Sequence, residues 1–140
     1  MSLNVNALRQ SFELVIERAP NLTERFYDVL FTRYPQVRPL FGRRARPQQE
    51  QMLAQALSAV LDHLEDAPWL QRTLGALGAK HVGYGVRDEM YAWVGDALLA
   101  TLADVAAADW SPELASAWSD AYGAITSLML DGARQAHAAA

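Results

Sequence analysis

Apolar residues recur at intervals of three and four along almost the whole chain, and the breaks in that rhythm fall at proline, glycine or capping residues. Such a pattern admits helices and little else. Leu8, Phe12 and Val15 form one face of a first helix that ends near Ala19-Pro20. Asn21 or Thr23 can cap a second helix, in which Tyr27, Leu30, Phe31 and Tyr34 share a face until Pro35 interrupts it. A short turn from Gln36 to Leu40 leads to Phe41, and Gly42 to Pro47 reads as a basic, exposed corner. A long helix follows from about Pro47 to Leu64, with Leu53, Ala56, Leu57, Val60, Leu61 and Leu64 inward. Its partner starts near Ala67-Pro68, carries Leu70, Leu74, Leu77 and His81 on one stripe, and ends at Gly83 and Gly85. The next helix, from about Arg87, places Tyr91, Val94, Leu98, Leu102 and Val105 on one side. Ser111 and Pro112 open the last, which turns Trp118, Ala121, Tyr122, Ile125 and Met129 inward and is expected to fray after Asp131. With 25 alanines and few β-branched residues, the reading is all-α, with six substantial helices and one short one.

Composition narrows the chemistry. The chain has no cysteine, which excludes disulfides, thiolate metal ligation, a cysteine nucleophile and covalent haem attachment through a C-x-x-C-H motif. Twelve basic residues against sixteen acidic ones give a formal charge of −4, the wrong sign for a phosphate-backbone binder, so no nucleic-acid partner is expected. No stretch reads as a targeting segment or a membrane span, and a soluble, cytoplasmic protein is expected. The 140 residues, 51% of them hydrophobic, suit a single domain over 1–140 with its own core and leave no room for a second catalytic module.

Of the three histidines, His81 is the informative one, because it continues an apolar stripe at the end of a helix. A neutral imidazole there can ligate a metal through one nitrogen while the other donates to a nearby carbonyl; a core histidine with a satisfied hydrogen bond fits the same position. His63, beside Asp62 and Glu65, and His137 in the tail form no His-x-x-x-His pair with His81, so a zinc site is poorly supported. A haem needs only one protein ligand, since its porphyrin supplies the other four nitrogens. Tyr27 and Gln49 can each donate a hydrogen bond to a dioxygen carrying partial negative charge; a boundary aromatic and a solvated glutamine are the plainer readings. Arg43, Arg44 and Arg46 read as a solvated loop, with an anionic partner or a haem propionate as the alternative.

Three groups of residues together resemble the globin family, in particular its bacterial single-domain haemoglobins and the haem module of flavohaemoglobins. Phe26 to Phe31 followed by Tyr34 to Phe41 resembles that family's second helix, its Pro-initiated short helix and its haem-contacting Phe. Leu77-Gly78-Ala79-Lys80-His81 followed by Tyr84-Gly85-Val86 resembles the proximal-ligand segment. Tyr91 to Gly95 and Trp118 to Gly123 resemble the starts of the last two long helices, so the similarity covers nearly the whole chain.

The resemblance implies a three-over-three helical sandwich around a haem b pocket, with His81 as proximal metal ligand and Phe41 against the porphyrin. It implies Tyr27 and Gln49 as the distal pair, Gln49 standing 32 residues before His81, and Leu53 as the apolar residue over the iron. Leu77, Lys80, Val86, Tyr91 and Val94 complete the implied cofactor contacts. Family members also carry a Glu that, with the Tyr, is linked to the proximal His; eleven residues after Tyr122, where that Glu is expected, stands Ala133. The proximal imidazole is therefore expected to be an ordinary neutral donor. The implied role is reversible binding of dioxygen, and of nitric oxide or carbon monoxide, in storage or transport. Two alternatives accompany it: a nitric oxide dioxygenase served by a separate reductase, and a gas sensor acting through a partner protein. A monomer and a homodimer fit equally well.

Overall fold

The computed structural model describes residues 3–41 and 45–139, and Arg43 and Arg44 of the basic corner lie outside that description. Six α-helices follow in order: α1 (Val5–Arg18), α2 (Leu22–Arg33), α3 (Arg46–Asp62), α4 (Ala67–Gly83), α5 (Asp88–Ala106) and α6 (Pro112–Ala139). Among the described residues there is no strand. Local chemistry sets the starts. The Asn4 carboxamide accepts from the Ala7 amide at 3.2 Å, Asp66 accepts from Trp69 at 3.2 Å, and Ser111 accepts from Leu114 at 3.1 Å, each satisfying an amide that the first turn leaves without a partner. Pro47 and Pro68 sit in the first turn of α3 and α4, where a missing N–H costs nothing.

Two short 3₁₀ helices are present where the spacing predicts one. Pro35–Phe41 is the expected piece, and Ala107–Asp109 is the addition. The latter turns the chain at Ala107, whose φ is +49°, a conformation that an alanine-rich stretch does not announce in the way Gly or Asn does. The end of α6 differs too: the helix continues through Ala139, with Gly132 and Ala133 buried, because its C-terminal half packs against α4.

The helices form a three-over-three sandwich, in which α4 packs on α6 and α5 packs against α1, α2 and α6. α5 runs through the core and buries Met90, Tyr91, Gly95, Ala97, Leu98, Thr101, Leu102, Val105 and Ala106. Its length and hydropathy would suit a membrane span, but its neighbours α1, α2 and α6 account for that apolar surface. Leu8, Leu30 and Leu102 are fully enclosed at 0% exposure. One buried polar link joins the layers: the Trp118 indole N–H donates to Ser11 Oγ at 2.9 Å, and Ser11 donates to the Ala7 carbonyl at 2.6 Å.

At the α4/α6 crossing the two backbones touch. A Cβ added to Gly78 would overlap the Met129 carbonyl, and one added to Gly132 would overlap the Gly75 carbonyl. The helix that carries His81 is thereby braced by main chain, with no side chain in between.

Candidate functional site

An apolar cavity of about 220 Å³ opens between the layers. Its walls come from every α-helix and from the 3₁₀ segment between α2 and α3, with Phe41, Leu53, Leu77, His81, Val86, Tyr91 and Val94 all at its surface. The helical period explains the arrangement: Leu53, Leu57, Val60, Leu61 and Leu64 follow one face of α3, and Leu74, Leu77 and His81 follow one face of α4. Apart from Leu61 and Leu74, these residues are only part-buried, because they face the cavity rather than another side chain.

His81 is the one histidine in the wall. Its Nδ1 donates to the Leu77 carbonyl one turn earlier at 2.7 Å, so the proton is held there and Nε2 keeps its lone pair. Burial pushes the imidazole below its ordinary value of 6.5, and the Leu77 bond opposes that only in part. The group is thus the neutral base that metal ligation requires.

Three tyrosines adjoin the imidazole or its support. Tyr91 is 7% exposed, and its ring lies 6.3 Å from that of His81. Tyr84 meets the imidazole edge-on at 5.7 Å but is 53% exposed. Tyr122 donates its hydroxyl proton to the Tyr91 carbonyl at 2.6 Å. Burial pushes the Tyr91 phenol up, with the nearby Asp88 carboxylate adding to the rise. Among the described residues, burial lowers the pKa of the His81 imidazole and the Leu77 carbonyl raises it. Ala133 is 7% exposed and offers no acceptor, while Asp131 pairs at the surface with Arg134 at 2.8 Å.

Tyr27 on α2 and Gln49 on α3 come together. Tyr27 is 4% exposed, set against Phe26, Phe31 and Phe41 at ring distances of 5.0 to 5.7 Å. Burial pushes its phenol up, and hydrogen bonding from the Gln49 carboxamide partly offsets the rise. Arg46 holds the helices in register beside them. Its guanidinium bonds Asp28 at 2.6 Å and Glu50 at 2.8 Å, the residues next to Tyr27 and Gln49, and also reaches the Glu24 carbonyl at 2.8 Å. Neither Tyr27 nor Gln49 is part of the cavity wall, which is lined by Phe41, in ring contact with Tyr27, and by Leu53, one turn after Gln49.

Lys80 is exposed and also stands outside the wall. His63 stacks on Trp69 at 3.8 Å and bonds the Ala59 carbonyl at 2.7 Å, and His137 is exposed in the last turn of α6. Among the described residues no three His, Asp or Glu side chains cluster as a metal site, so no all-protein metal centre forms around His81. The wall also includes Leu8 and Val37, which sequence reading placed in no site; both sit on apolar faces that give no hint of a cavity.

A two-layer helical sandwich enclosing an apolar slot with one inward, neutral imidazole defines a recognisable class of protein. A family model described as Globin matches residues 24–129, and the chain belongs to that family. It is 36% identical, over its whole length, to a flavohemoprotein of Bordetella pertussis, and 30% identical over 90% of its length to one of Rhodopirellula baltica. The chain spans about a third of those relatives, 36% and 31% respectively. Among solved structures, an engineered carbene transferase from Rhodothermus marinus, derived from a protein regarded as a nitric oxide dioxygenase, is 25% identical with a TM-score of 0.83, covering 96% of this chain and 94% of that one. A bacterial globin from Campylobacter jejuni, at 24% identity and a TM-score of 0.80, covers 95% of this chain and 96% of that one and shows the same fold.

The residues present fit a haem. An apolar slot suits a flat hydrophobic macrocycle, and the tautomer of His81 leaves one nitrogen free for an axial bond.

Proposed function

We propose that this globin holds haem b in the cavity with His81 as the axial protein ligand and binds dioxygen and other diatomic gases reversibly. The observation that carries the reading is the Nδ1 bond of His81 to the Leu77 carbonyl within an apolar wall. A haem held there by His81 would supply an iron able to take a diatomic gas. The chain's own residues do the rest. Leu77 orients the imidazole, Phe41 and Leu53 exclude water, and Tyr27 with Gln49 supplies donors toward a ligand that carries partial negative charge. The Gln49 amide donates to the Tyr27 oxygen, which leaves the phenol proton free for a ligand.

The test begins with haem loading. The loaded protein should show a Soret band, and His81→Ala should alter it; no band after reconstitution, or one unchanged by the substitution, overturns the assignment. Tyr27→Phe and Gln49→Leu should each speed dioxygen release, and rates unchanged from the parent's in both variants remove them from the distal role.

A second reading is favoured by the likeness to the flavohemoproteins and to the Rhodothermus marinus protein: oxidation of nitric oxide to nitrate by dioxygen, with a separate reductase returning the iron to its ferrous state. Sustained nitric oxide consumption with a reductase and NADH supports it, and a single stoichiometric turnover supports binding alone.

A further inference from the structure

The first residue of α3 is Arg46, and a first turn is the wrong end of a helix for a cation, because its unpaired amides carry partial positive charge. The turn itself offers no compensation. Ala45, at the N-cap, has no side chain able to accept from those amides, and no acidic residue stands in the first turn. What compensates lies mainly on α2. The guanidinium bonds Asp28 at 2.6 Å and the Glu24 carbonyl at 2.8 Å, and lies 5.9 Å from the centre of the Phe31 ring. Its remaining partner, Glu50 at 2.8 Å, is one turn along its own helix.

These contacts bracket the Tyr27 and Gln49 pair. Asp28 follows Tyr27 on α2, Glu50 follows Gln49 on α3, and the Gln49 backbone amide donates to the Ala45 carbonyl at 3.1 Å in the opening bond of the helix. The Phe31 ring beneath the guanidinium also meets Tyr27 at 5.7 Å and Phe41 at 5.5 Å. The charges are felt at the phenol as well, since Glu50 pushes the Tyr27 pKa up and Arg46 draws it down. A helix start without a cap of its own frays unless something ties it. Here the tie runs to the helix that carries the partner of Gln49.

We infer that Arg46 is a positioning residue for the Tyr27 and Gln49 pair, a latch between α2 and α3 that keeps the carboxamide against the phenol and thereby slows the departure of a bound gas. The inference rests on the reading of the cavity as a haem site with that pair as its donors. With the latch cut, the first turn of α3 opens, Gln49 leaves the Tyr27 oxygen, and the donors no longer hold one arrangement.

The experiment uses the haem-loaded protein with carbon monoxide bound and reads the C–O stretching band by infrared, beside dioxygen release and hydrogen exchange at the Gln49 amide. Arg46→Ala should broaden or split the band and speed release and exchange about threefold to fivefold, the scale of losing part-exposed ion pairs. Arg46→Lys keeps the charge but lacks the planar fork that reaches two carboxylates and a carbonyl, so it should restore the parent's band only in part. Arg25→Ala, which cuts the exposed Arg25 to Asp104 pair between α2 and α5, should leave all three readings at the parent's values. A role in stability alone would lower the melting temperature of Arg46→Ala and leave its band sharp. A parent-like band and release rate in Arg46→Ala, where Tyr27→Phe moves both, overturn the proposal. Parent-like values in Tyr27→Phe and Gln49→Leu sink the reading of the pair as donors instead, so the two failures are distinct.

Discussion

The two ends of the sandwich bury their leucines in different ways. Around α5, Leu30 and Leu102 have no exposed surface, and each is surrounded by side chains from neighbouring helices. Along the cavity, Leu53 and Leu57 on α3 and Leu77 on α4 are part-exposed although their spacing is equally regular. Periodicity reports that a helix face avoids water; it does not report what that face meets. The first region is built for density and the second for a shaped opening, and substitutions should separate them.

The largest effect is expected in the dense region. Leu102→Ala should destabilise the protein by about 2–5 kcal/mol in a denaturant titration, because the closed surroundings can relax only partly into the space left. The next tests the brace beneath His81. Gly78→Ala must force α4 and α6 apart and should cost about 1–3 kcal/mol. Gly75→Ala, whose new methyl meets nothing within 4 Å, should instead add up to about 1 kcal/mol through helix propensity. If the two alanines behave alike, the main-chain contact is not what holds the helices.

Smaller still should be Leu57→Ala in the cavity wall, at about 1 kcal/mol, since the removed methyls already lack neighbours on one side. A cost equal to that of Leu102→Ala would erase the distinction between the regions. The smallest effect should be a pH slope from His81. Its folded-state pKa lies below 6.5, so as the pH falls below 6.5 the unfolded chain takes up the proton first and stability declines. Above 6.5 both states are neutral and the contribution is fully present. The slope should level off once the pH passes below the folded value, and His81→Leu should remove it.

Much of the fold was legible because its interruptions are chemical. Pro20, Pro35, Pro68 and Pro112 mark helix ends or first turns, and Gly85, with φ at +84°, turns the chain after α4. The imidazole was legible as the last member of an apolar stripe, though its role came from resemblance. What could not be read were features created by two distant segments at once. Ser11 looks like a surface residue until Trp118 needs an acceptor, Gly95 looks like a weak point in a helix until the Tyr122 ring lies on it, and Gly78 looks permissive until Met129 is its neighbour. The Tyr27 and Gln49 pairing is of the same kind, since the corner between their helices gives no measure of how the two approach.

The crossing of α4 on α6 also has a consequence in time. Gly75 and Gly78 emerge from the ribosome long before Met129 and Gly132, yet each pair is the other's contact surface. The helix bearing His81 must therefore wait for the last helix before its position is settled, and α1, α2 and α5 can pack together before it does. Packing of α4 on α6 would settle late, and a chain cut short within α6 would keep the helix but lose the contact that fixes the position of His81.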